Sequence, residues 1–112
     1  MIDIPFESFV SPSGVPSSFH THTCFCDGRD TPEAMVQEAI RLGCPAIGFS
    51  GHSHTAFDEG YCMSKDGTQA YCEEIRRLRQ VYGGQIRIFL GIEQDYFSDA
   101  PCSDYDYVIG SV

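Results

Sequence analysis

Residues 31–54 read Thr31-Pro32-Glu33-Ala34-Met35-Val36-Gln37-Glu38-Ala39-Ile40-Arg41-Leu42-Gly43-Cys44-Pro45-Ala46-Ile47-Gly48-Phe49-Ser50-Gly51-His52-Ser53-His54. The first half has the period of a helix. Thr31 can cap its start, Pro32 suits the first helical position and Glu33 favours the positive end of the helix dipole. Met35, Val36, Ala39, Ile40 and Leu42 form an apolar stripe that Gly43 terminates. The second half changes period. Ala46-Ile47-Gly48-Phe49 is a continuous apolar run, the pattern of a parallel strand covered on both faces, and a polar loop from Gly51 to about Lys65 follows it.

The same alternation recurs on either side. Ser18 to Thr23 reads as a short strand. Thr68 to Tyr82 reads as a helix with Tyr71, Ile75, Leu78 and Val81 on one face and Gly83-Gly84 closing it. Ile86 to Ile92 and Tyr107 to Val112 are two further strands. Residues 1–17, with Pro5, Pro12, Pro16, Gly14 and four serines, form an irregular lead-in. The order strand, helix, strand, helix, strand, loop, strand predicts parallel βα units, in which the loops after the strand C-termini carry the chemistry.

Composition narrows the function classes. At 112 residues and 42% hydrophobic content, one globular core is expected. No apolar run approaches the ~20 residues that cross a bilayer. Asp3 and Glu7 precede any basic residue, so the N-terminus does not read as a secretory signal and a cytoplasmic location is expected. A formal charge of −9 disfavours nucleic acid, whereas bound divalent cations would offset it locally and admit a small phosphorylated substrate. The six cysteines contain no C-x-x-C pair, so they read as reduced thiols rather than a structural zinc site.

All four histidines fall in two His-x-His pairs, His20-Thr21-His22 and His52-Ser53-His54, each at or just past a predicted strand end. Residues i and i+2 of a strand point to one side about 7 Å apart, so two imidazoles can converge on one ion, and neutral imidazole is a good ligand for zinc, iron or manganese. One such pair is weak evidence; two at equivalent positions are not. Asp27, five residues after His22 and followed by Gly28, reads either as a further ligand or as a turn aspartate. Glu93, after the apolar run Ile88 to Ile92, reads as a carboxylate bridging two cations or as a solvated strand-end acid. Asp95 reads as a supporting acceptor or as loop charge. There is no Gly-x-Ser-x-Gly nucleophile elbow, and Gly83-Gly84 is a helix stop rather than a phosphate loop. Cys24 and Cys26, between His22 and Asp27, are better placed for structural or supporting roles than as nucleophiles.

Phe19-His20-Thr21-His22-Thr23, Cys26-Asp27-Gly28, Ile47-Gly48-Phe49-Ser50-Gly51-His52-Ser53 and Gly91-Ile92-Glu93-Gln94-Asp95-Tyr96 together resemble the PHP (polymerase and histidinol phosphatase) superfamily, most closely its histidinol-phosphatase branch. The resemblance runs from about Phe19 to Val112. It implies an α/β fold that is a partial (β/α) barrel: the first three to four βα units of a distorted TIM-like barrel, with residues 18–112 as the N-terminal part of the domain. It also implies up to three divalent ions, zinc, manganese or iron. His20 and His22 would share one metal, Asp27 and His52 would serve another, and Glu93 would bridge. Glu93 and His52 are then the catalytic pair, and His54 and Asp95 are supporting or substrate-contacting candidates. The implied reaction is attack of metal-activated water on phosphorus in line, releasing histidinol and phosphate from histidinol phosphate in histidine biosynthesis.

Two departures from the family pattern stand out. Gly51 occupies the place before His52 where relatives usually carry an acid. A complete barrel also needs roughly 200 residues or more, so a missing C-terminal portion or self-association is expected, with little activity from these residues alone. The competing readings are another phosphoesterase of the superfamily, of protein-tyrosine phosphatase or exonuclease type, and a non-catalytic metal-binding or assembly module.

Overall fold

A computed structural model describes residues 17–26, 28–54, 62–95 and 105–111. The order is α1 (Pro32–Leu42), β1 (Ala46–His52), α2 (Lys65–Tyr82), β2 (Arg87–Asp95) and β3 (Tyr107–Ser111). The strands form one parallel sheet in the order β1-β2-β3, with Ser50 opposite Gly91, His52 opposite Glu93, and Glu93 opposite Ile109. The sequence-predicted lead-in, residues 1–17, and Val112 at the end of the last predicted strand lie outside the described residues, apart from Ser17.

α1 begins as its sequence dictates: Thr31 Oγ1 accepts from the Ala34 N–H at 3.2 Å, with Pro32 in the first turn. It ends at Gly43, whose φ of 80° is the left-handed conformation that favours glycine. α2 starts three residues earlier than its apolar pattern predicts. Ser64 Oγ accepts from the Gly67 N–H at 2.9 Å and so caps a first turn that contains a glycine. Leu42 and Val81, expected on the buried stripes, are 51% and 55% exposed. At 100° per residue Val81 sits well off the centre of the Tyr71–Ile75–Leu78 face, and Tyr82 takes its place against the core.

The alternation of the strands separates two faces. Ile47, Phe49, Ile88, Leu90 and Ile92 join Val36, Tyr71, Ile75 and Leu78 in the core beneath the helices. Each such fully buried side chain contributes about 1.5–3 kcal/mol. Gly48, Ser50, His52, Phe89, Gly91, Glu93 and Tyr107 alternate with these and project to the opposite side. Asp106 locks β3 in register: its Oδ2 accepts from the Leu90 N–H at 2.8 Å and pairs with Arg79 of α2.

Residues 18–23 do not form the predicted strand. The Gly48 N–H donates to Ser18 O at 2.8 Å and the Ser50 N–H to Thr21 O at 2.9 Å, so two residues of β1 span three of this segment. That mismatch breaks the ladder and leaves a single bridge, Ser18 to Ile47. The Thr21 hydroxyl donates to Gly48 O at 2.6 Å, occupying an acceptor that a regular strand would have filled from its backbone.

Candidate metal centre

Glu93 is the centre of the site. The residue is 7% exposed on β2, a strand that runs past the predicted Ile92 boundary because the Ser53 N–H donates to Glu93 O at 2.9 Å and β3 pairs on the other side. Oε1 contacts His20 Nε2 directly and lies 3.4 Å from His22 Nε2, while Oε2 lies 3.0 Å from His52 Nδ1. A buried carboxylate is costly unless hydrogen bonds or a cation compensate it, and three imidazole nitrogens surround this one. The rings form a row, with centroids 5.0 Å apart for His20 and His22 and 4.4 Å for His22 and His52.

His20, His22 and Glu93 each offer a donor atom within 4.8 Å of the others. Two donors each ~2.0–2.2 Å from one ion in tetrahedral geometry sit ~3.4 Å apart, the spacing seen between His22 Nε2 and Glu93 Oε1. These three residues could therefore hold a divalent first-row metal. Because His52 approaches the other carboxylate oxygen, the geometry of Glu93 also suits a carboxylate shared between two ions. His20 is the open member, with a side chain 60% exposed, against 21% for His22 and 18% for His52.

Asp27 lies outside the described residues, and Asp95 ends β2 with a side chain outside the described set. His54 lies two residues past the end of β1 and is half-buried.

Two tyrosines that sequence reasoning did not single out build the support. The Tyr107 hydroxyl donates to Phe19 O at 2.6 Å, and its ring meets Phe19 edge-on at 5.7 Å, beneath the histidine row. Gly48 and Gly91 make room for it: a Cβ on either would fall 2.5 Å from Tyr107 atoms. From the helix side, the Tyr71 hydroxyl donates to Gly91 O at 2.7 Å and accepts from the Gly51 N–H at 3.4 Å, tying β1 to β2 next to the His52–Glu93 rung. Burial raises the pKa of both phenols, so both stay neutral donors. The paired inward glycines were the available signal for Tyr107.

Among the described residues no helix is long and apolar enough to cross a membrane. Among the described cysteines, Cys62 and Cys72 are buried and Cys24 is exposed.

Three curated relatives match. A Deinococcus radiodurans protein named "Probable histidinol-phosphatase" is 29% identical over 104 residues, covering 83% of this chain and 40% of its own length. The Bacillus subtilis histidinol-phosphatase is 30% identical over 89 residues, 71% of this chain and 33% of its length. A Schizosaccharomyces pombe protein, also named "Probable histidinol-phosphatase", is 29% identical and covers 88% and 39%. This chain thus spans well under half the length of these relatives. A solved structure of a Listeria monocytogenes protein described as a "putative histidinol phosphatase" shares the fold, with a TM-score of 0.64 and 24% identity over 71% of this chain and 35% of that one. The PHP domain family itself matches residues 18–112, and the chain belongs to that family.

Proposed function

We propose that residues 18–112 are the opening βα units of a distorted (β/α) barrel. On this reading they carry part of the metal centre of a phosphomonoesterase acting on histidinol phosphate, releasing histidinol and phosphate in histidine biosynthesis. The observation that carries this is the buried Glu93 carboxylate, with His20 and His22 on one oxygen and His52 on the other. The names of the relatives support the substrate, and their greater length supports a barrel completed by further units.

In this reading His20 and His22 hold one ion, Asp27 and His52 a second, and Glu93 both; zinc, manganese and iron all suit the donors. Bound there, a divalent cation polarises a phosphoryl oxygen and lowers the pKa of water. The chain's own residues do the rest. Glu93 brings negative charge to a site walled by the sheet and would hold the cations there. His20, at the exposed mouth, leaves that side open to a phosphate ester. His54 and Asp95 flank the rim as supporting or substrate-contacting groups.

The test is Glu93→Gln in the full-length protein, which keeps shape and removes charge. At least one charge-assisted contact is lost, about 1.5–3 kcal/mol, so divalent metal should bind roughly 10- to 150-fold more weakly. Histidinol phosphate turnover should fall by at least as much. Wild-type turnover at matched metal occupancy would refute the role of Glu93.

A further inference from the structure

The two ring nitrogens of His22 face different partners. Nε2 faces Glu93 Oε1 at 3.4 Å, and Nδ1 faces the Cys26 sulfur at 3.6 Å, within hydrogen-bonding range for sulfur. An imidazole that ligates through Nε2 must carry its proton on Nδ1, and a fixed acceptor for that proton orients the ring and favours the ligating tautomer.

The loop holding Cys26 is built around this contact. Thr23, fully buried, accepts at its carbonyl from the Cys26 N–H at 3.1 Å and the Gly28 N–H at 2.9 Å, and at its hydroxyl from the Phe25 N–H at 3.2 Å. Gly28 presses on the His22 backbone so closely that a Cβ would fall 2.5 Å from its carbonyl carbon and oxygen. On the other side, Gly51 leaves space. A Cβ there would lie 3.6 Å from the Cys26 sulfur and 3.2 Å from Met63 Cε, so the two sulfur side chains fill the volume beside residue 51. Cys26 is packed against the core rather than free to swing.

We propose that Cys26 is a positioning residue of the metal centre: its sulfur accepts the Nδ1–H of His22 and holds the Nε2 lone pair toward Glu93. The proposal rests on the metal-centre reading above. Sulfur is a weak acceptor, but here it is pre-placed by the turn and needs no ordering when the cation arrives.

Two substitutions separate this from simple packing. Cys26→Val keeps an apolar side chain of similar bulk and removes the acceptor. Cys26→Asn offers a neutral carbonyl oxygen with the reach to meet Nδ1. The readout is the affinity of the full-length protein for Mn²⁺, a cation that thiols bind poorly, measured by calorimetry, with circular dichroism to verify folding. Loss of such a supporting contact costs about 10- to 100-fold in metal affinity. Cys26→Val should therefore bind at least ~10-fold more weakly, while Cys26→Asn stays close to wild type. A packing role predicts the reverse order, and that order, or equal affinities in all three proteins, overturns the proposal. A wild-type protein that binds no Mn²⁺ at all refutes the metal-centre reading and this inference with it, an outcome distinct from failure of Cys26 alone.

Discussion

Gly28→Ala adds one methyl group at the point where the loop touches the first histidine pair. The new Cβ would lie 2.5 Å from both the carbonyl carbon and oxygen of His22 and 2.6 Å from the Thr23 nitrogen. These are backbone atoms, so no rotamer change relieves the clash. Restoring ordinary contact requires the strand of loop to retreat by nearly ~1 Å. The Gly28 N–H to Thr23 O bond, now 2.9 Å, then passes beyond hydrogen-bonding range, and the 3.1 Å bond from Cys26 is pulled with it. Overpacking costs about 1–3 kcal/mol and each lost bond about 1 kcal/mol, for a total of about 2–4 kcal/mol. For a domain of this size that lowers the melting temperature by about 10 °C or more. Displacing His22 by even part of that distance should also weaken Mn²⁺ binding by roughly 10-fold. Urea unfolding and calorimetry measure the two effects, with Gly84→Ala as the control: nothing lies within 4 Å of a Cβ at Gly84, so a change within about 0.5 kcal/mol is expected there. A Gly28→Ala protein as stable as Gly84→Ala, with unchanged metal affinity, would refute the close packing of the loop on His22.

Gly91→Ala should drive a methyl into the Tyr107 ring, whose Cε1 and Cε2 would lie 2.5 and 2.6 Å from it, costing about 1–3 kcal/mol. Replacing Tyr107 by leucine should recover part of that loss in a double-mutant cycle; strict additivity would show that the ring does not lie over Gly91. Acid titration probes the helix pair. The Tyr82 hydroxyl donates to Glu33 at 2.7 Å and, with Arg77, holds its pKa below the ordinary 4.5. The folded value is depressed, so the stabilisation is present above the unfolded pKa and lost as pH falls through the folded one. The stability gap between wild type and Tyr82→Phe should therefore narrow below about pH 4.5, and a gap constant with pH would contradict the contact.

Local chemistry made much of this protein readable in advance. Thr31, Pro32 and Gly43 are residues whose conformational preferences are satisfied within one turn, so α1 was predicted with its observed boundaries. The run at 46–49 is apolar without alternation and buried throughout, which marks β1 as a parallel strand. His-x-His spacing placed His20 with His22, since two residues along an extended chain share a side. That β1 and β2 would align His52 opposite Glu93 followed only loosely from both lying near strand ends.

Elsewhere the outcome hinged on contacts between residues far apart in the chain. Residues 18–23 have strand-like composition, yet Thr21 hydrogen-bonds through its side chain to Gly48 and the ladder slips by one residue. Glu93 stays in a strand because β1 and β3 pair with its backbone on both sides, an environment no local pattern encodes. Tyr107 reaches beneath the site only because glycines at 48 and 91 leave the volume empty. Cys26, by contrast, meets His22 from only four residues away, with Gly28 folding the loop against the backbone. Periodicity and capping act over a few residues and could be read directly from the chain. Register and ring placement depend on steric fit across 16 to 88 residues of sequence, and that fit exists only once the sheet has formed.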